Sequence, residues 1–119
     1  MYKLPEDIND DFLQGEVVKM VCFNLNQIYI HFQSSIQICI EGQYSLVNRK
    51  GEKIYFDVHP VLNDNGLLQI LEKEVKGVEI SKSRTDFSIQ FQDGVLLEII
   101  GNCLYESYSI KLNERTIIV

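Results

Sequence analysis

The feature that most constrains this chain is a strand-rich pattern that occurs twice, at about residues 13–57 and again at 71–119. An offset of 58 residues aligns Leu13, Glu16 and Val17 with Leu71, Glu74 and Val75. After one extra residue, an offset of 59 aligns Ile30, Phe32, Gln33, Ile40 and Gly42 with Ile89, Phe91, Gln92, Ile99 and Gly101. Inside each copy the apolar residues alternate with a period of two, which is the signature of half-buried strands.

In the first copy Ile28, Ile30, Phe32 and Ile36, Ile38, Ile40 flank Gln33-Ser34-Ser35 and predict a β-hairpin. In the second, Phe87, Ile89, Phe91 and Val95, Leu97, Ile99 flank Gln92-Asp93-Gly94. Gly94 can supply the left-handed residue of a three-residue loop. Such a loop pairs Phe91 with Val95 and Ile89 with Leu97, whereas a two-residue Asp-Gly turn would mix the two faces. A further strand precedes each hairpin (Val17 to Phe23, and Val75 to Ser81). Two short runs follow each, Tyr44 to Val47 with Lys53 to Val58, and Tyr108 to Leu112 with Thr116 to Val119.

We read each half as about four strands, forming an antiparallel β-sandwich or partly open barrel, because neither half can bury its apolar face alone. Leu67, Leu68, Ile70 and Leu71 suit a short helix between the repeats, with Ile8 to Leu13 a shorter counterpart before the first. At 119 residues, with two prolines and seven glycines, the chain is expected to be one domain over 1–119, folded almost throughout.

Seventeen acidic against eleven basic residues give a net charge of −6, a field that repels phosphate backbones and anionic lipid. Nucleic acid and membranes are therefore not expected as partners, and a basic protein is. Cys22, Cys39 and Cys103 are an odd, widely spaced set that suggests no disulfide framework. With no secretory pattern at the start and no apolar run long enough to span a bilayer, the chain is expected to be cytoplasmic.

Recognised catalytic and cofactor motifs do not occur, so no catalytic residue, metal or cofactor is assigned. His31 and Cys39 fall on the outward face of the first hairpin, too few for a soft-metal site, and Cys22 is expected as a small core residue. The acidic run Glu6-Asp7-x-x-Asp10-Asp11 and the turn Asn63-Asp64-Asn65-Gly66 both lack calcium-loop spacing. A Ser107, Glu106 and His59 grouping is a second option, and so is a cavity where His31, His59 and Glu106 converge.

Residues 105–109 form the one insertion of the second copy relative to the first, and insertions in repeats tend to lie on a working face. Tyr105, Glu106 and Tyr108 combine rigid aromatic area with a charge, so they are the expected protein-contact residues. Leu96 and Ile100 alternate with the inward set of the second hairpin. They should point outward beneath the Leu67–Leu71 helix or a second subunit, which makes them the expected contacts of a homodimer.

The run Leu13-Gln14-Gly15-Glu16-Val17, the hairpin Phe91-Gln92-Asp93-Gly94 and Tyr105-Glu106-Ser107-Tyr108 before a terminal strand together resemble a family of small bacterial proteins classed as a domain of unknown function. The first hairpin departs from that pattern, with Ser34-Ser35 in place of Asp-Gly, and the second Leu-x-Gly has become Leu71-Glu72-Lys73. In size and charge the chain is similar to immunity proteins that neutralise bacterial toxins. The expected function is thus a non-enzymatic protein-binding module, in its most concrete form an immunity-type protein for a basic toxin. The alternatives are a small-molecule-binding or enzymatic β-barrel and a structural homodimer.

Overall fold

A computed structural model describes residues 2–61, 64–102 and 105–119. Ten strands follow the predicted alternation: β1 Val18–Asn24, β2 Gln27–Phe32, β3 Ile36–Ile40, β4 Gln43–Val47, β5 Lys53–Asp57, β6 Val75–Ile80, β7 Phe87–Phe91, β8 Leu96–Ile100, β9 Tyr108–Leu112 and β10 Arg115–Ile118. Each half therefore supplies five strands rather than four, the runs on either side of Asn48-Arg49-Lys50-Gly51 being two full strands.

The strands form two antiparallel five-stranded sheets, ordered β1-β2-β3-β9-β10 and β5-β4-β8-β7-β6. Each sheet draws on both halves: β4 and β5 leave their own half to pair with β8, while β9 and β10 pair with β3. The two junctions are in matching register, with Ile40 opposite Tyr108 and Ile38 opposite Ile110 in one, and Ile99 opposite Tyr44 and Leu97 opposite Leu46 in the other. The hairpins keep the predicted faces, Tyr29 lying opposite Cys39, His31 opposite Gln37, and Ile89 opposite Leu97. In the second, Gly94 takes φ 96° and the Phe91 N–H donates to the Val95 carbonyl at 2.9 Å. In the first, which lacks Asp-Gly, the Glu16 carboxylate accepts both the N–H and the hydroxyl of Ser34, at 3.0 and 2.9 Å.

The inner faces bury one shared core in which Ile30, Ile38 and Ile40 of one sheet meet Ile89, Leu97 and Ile99 of the other. Phe87 on β7 packs edge-on against Tyr108 on β9, with ring centroids 5.3 Å apart. Along one side the sheets are stitched together where Val17 bridges Glu74, flanked by Val75 N–H to Glu16 C=O at 2.8 Å. The opposite strands, β5 and β10, are outer edges, so the barrel is not closed.

The segment expected as a helix between the halves is a single 3₁₀ turn, Leu67–Ile70. Four residues are too few for a helical face, and the turn instead plugs the core with Leu67 and Ile70 while Leu68 stays exposed. It does not roof Leu96 and Ile100: the left-handed Gly66 just before it lies so close to Leu46 that a Cβ there would sit 2.5 Å from Cδ1. Leu4, Ile8 and Leu13 of the N-terminal segment are likewise buried. Cys22 is not in the core. An irregularity in the β1–β2 register between Val18 and Met20 turns it to the outer face, half-buried opposite Tyr29. Among the described residues no helix is long and apolar enough to cross a membrane.

Candidate binding hollow

At one end of the sandwich the crossovers of the two halves lie side by side. The chain leaves β3 through Glu41 and Gly42, whose backbone packs on the segment before β9: Glu41 N–H donates to the Ser107 carbonyl at 2.8 Å. A Cβ on Gly42 would lie 3.5 Å from Ser107. From β5 the chain runs through Val58, bonded to the Gly42 carbonyl at 3.2 Å, into the cis His59–Pro60 peptide. The Asp57 carboxylate fixes this exit by accepting the His59 N–H at 3.0 Å.

These segments place Glu41, His59, Tyr105 and Glu106 around one open hollow of about 470 Å³. The His59 and Tyr105 rings meet nearly at right angles, centroids 6.5 Å apart. His59 also borders a smaller cavity of about 200 Å³ lined by Tyr55, Asp57 and Pro60. Tyr105 is 42% exposed and Tyr55 67%, while two carboxylates face the hollow and Asp57 stands beside it. Such a surface offers flat aromatic area and negative charge, the chemistry that receives lysine and arginine side chains.

Two of the three expected contact residues, Tyr105 and Glu106, meet at this hollow. Tyr108 does not. It is 1% exposed, its hydroxyl donates to the Thr85 carbonyl at 2.8 Å, and burial raises its pKa, so it is a core residue with no surface to give a partner. Alternation places it inward because it begins β9 opposite Ile40.

His59 and Glu106 share the hollow, but His31 lies on the outer face of the first sheet beside Gln37 and Lys111, so the three do not converge. The Ser107 hydroxyl, 1% exposed, accepts the Asn102 N–H at 2.6 Å and donates to the Tyr105 carbonyl, locking the loop rather than facing His59. No group of three or more His, Cys, Asp or Glu among the described residues could hold a metal ion. The N-terminal acidic run is divided: Asp7 binds the Arg115 guanidinium, whose hydrogen bond lowers the carboxyl pKa, and Glu6 lies 3.9 Å from Arg84. Asn63 and Cys103 lie outside the described residues.

Leu96 and Ile100 are half-buried on the outer face of β8. Between them Glu98 accepts the Ser45 hydroxyl at 2.6 Å and the Lys53 ammonium at 2.8 Å. That polar row divides the two apolar residues, so they form no continuous apolar patch. The largest exposed apolar residues outside the hollow lie elsewhere, among them Ile54 on β5 at 60% and Leu25 at 71%.

No family model matches the chain, and no curated protein or solved structure matches it. Glu41, Tyr55 and Asp57 escaped the sequence reading because the hollow and the cavity beside it join segments far apart in the chain, Glu41 lying 64 residues and His59 46 residues before Tyr105. Gly42 aligned with Gly101 in the repeat, but nothing in that match marked a crossover or said what it would meet.

Proposed function

We propose that this chain is a non-enzymatic protein-binding module that takes a basic partner at the hollow lined by Glu41, His59, Tyr105 and Glu106. The observation that carries the reading is the pairing of exposed Tyr105 with two carboxylates at one open surface. The net charge of −6 would draw a basic partner in, and tyrosine anchors supply contact energy once it is seated. An immunity-type role against a basic toxin is its most concrete form, and a cytoplasmic setting and the resemblance to small bacterial proteins of unknown function accompany it. We also read the two halves as tandem repeats that have exchanged their C-terminal hairpins, a reading supported by the matching junction registers.

The test compares tagged wild-type protein with a Tyr105→Ala/Glu106→Gln/Glu41→Gln variant in capture from bacterial lysates at low and high salt. The expected result is a stoichiometric basic protein held by the wild type, released by salt and lost by a variant that still melts cooperatively. Toxicity of that partner, relieved by co-expression of this chain, would establish the immunity form. Equal capture by both proteins, or capture of no partner, sinks the proposal.

A further inference from the structure

β5 is the open edge of the second sheet, and its pairing with β4 fixes which backbone groups are free. The Asn48 N–H donates to the Glu52 carbonyl, and the Val58 N–H to the Gly42 carbonyl. In an antiparallel ladder hydrogen-bonded pairs alternate. Ile54 and Phe56 therefore turn their N–H and C=O groups toward β4, and Lys53, Tyr55 and Asp57 turn theirs away from the sheet. Among the described residues no backbone partner meets these outward groups. The strand is also apolar at its margin: Ile54, facing the inner side opposite Leu46, is 60% exposed, and Tyr55 is 67% exposed.

An edge with free ladder groups and exposed apolar residues is a template for another strand. The sequence of this edge is complementary to its own reverse, charge to opposite charge and apolar to apolar about Tyr55. Laid antiparallel on a second β5 about a two-fold axis through Tyr55, Lys53 falls opposite Asp57 of the other copy, and Asp57 opposite its Lys53. All three outward residues then become hydrogen-bonded pairs, closing every free group on both strands. On the inner face Ile54 lands opposite Phe56 of the other copy, in the closer, non-hydrogen-bonded type of pair. A slip of two residues in either direction would lose one such pair and set Tyr55 against a charged residue.

We infer that two copies of this chain associate edge to edge through β5, in the register that opposes Lys53 to Asp57, making one continuous ten-stranded sheet across the dimer. The interface is isologous, as a two-fold dimer requires. It differs from the β8 outer face, where Glu98 parts Leu96 from Ile100, and it does not depend on the binding reading of the hollow.

Sedimentation or light scattering across a concentration series to the millimolar range tests it, together with amide hydrogen exchange. The wild type is expected to move from 13.8 kDa toward twice that mass, with the Lys53, Tyr55 and Asp57 amides gaining protection in step. Tyr55→Pro should abolish association while leaving the monomer folded, because proline is tolerated where an edge strand's N–H faces solvent. Lys53→Glu should weaken association about tenfold, as two attractive cross-strand pairs turn repulsive, in a variant that still melts cooperatively after losing the Lys53–Glu98 pair within each copy. Lys53→Glu/Asp57→Lys should restore it. A chain that stays monomeric throughout the series overturns the inference. So does a dimer that tolerates Tyr55→Pro or leaves those three amides unprotected.

Discussion

Replacing Gly101 with alanine puts a methyl group 2.5 Å from the Thr85 carbonyl oxygen and 3.1 Å from the Thr85 Cβ. Neither neighbour can swing aside. The Thr85 carbonyl accepts the buried Tyr108 hydroxyl at 2.8 Å, and Gly101 is itself held by its N–H to the Asp86 carboxylate at 2.7 Å. Backbone must therefore shift, which at overpacked sites costs about 1–3 kcal/mol. Moving the carbonyl also loosens a buried hydrogen bond worth about 1 kcal/mol. A loss of about 3 kcal/mol follows, or roughly 10 °C in melting temperature for a domain of this size. The sequence-aligned Gly42 is the control. A Cβ there meets Ser107 at 3.5 Å, ordinary van der Waals contact, so Gly42→Ala should be neutral or stabilise by up to about 0.5 kcal/mol through the unfolded chain. Urea unfolding of the two variants at one pH, analysed by linear extrapolation, reads the difference directly. Equal stabilities of Gly101→Ala and Gly42→Ala would refute the reasoning, since the two sites would then be packed alike.

Two further outcomes follow from the charged and thiol groups. Partial burial pushes the Asp93 carboxyl up, but the Val95 N–H and the Lys73 and Arg49 cations outweigh it and hold the pKa below the ordinary 3.8. A depressed folded-state pKa gives stability that is present above the unfolded value and is lost as pH falls through the folded one. Asp93→Asn should therefore lower the urea midpoint at neutral pH and flatten the fall in stability below pH about 4. An acid limb as steep as that of the wild type would contradict the assignment. Burial, with Glu41 nearby, pushes the Cys39 thiol up to about 11, so in native protein at pH 8 this side chain should resist alkylation and react only on unfolding, as mass spectrometry of the modified peptides would reveal. Rapid labelling of Cys39 under native conditions would count against its buried place on β3.

Much of the strand content could be read directly because alternation is local. Ile28, Ile30 and Ile38 announce their own inward face, and the three-residue loop at Gly94 follows from keeping Ile89 opposite Leu97. Alternation failed where a bulge intervened. Cys22 aligned with Ile80, yet the register irregularity near Val18 turned it outward, and nothing in the local residues marks that break. Tyr108 shows a second failure: its neighbours suggested a surface insertion, while its position at the start of β9 opposite Ile40 made it core. Tyr105 and Glu106 were found because their segment stood out as an insertion, and His59 was weighed beside Glu106 as one of only two histidines, but Glu41 carried no signal of its own.

The sequence by itself determined most of the strands and their inward faces, the hairpin registers and the acidic charge. Each of these depends on residues a few positions apart or on composition alone. Tertiary structure decided which sheet each terminal hairpin joins. Both halves present an apolar face at β4–β5 and β9–β10, and a period of two cannot say which neighbour will cover it. That choice is made by burying both inner faces in one core, and it sends each half of the chain crossing between the sheets, one at Gly42 and the other at Gly101. From the crossovers come the hollow that gathers Glu41, His59, Tyr105 and Glu106, and the open β5 edge whose outward groups have no backbone partner among the described residues.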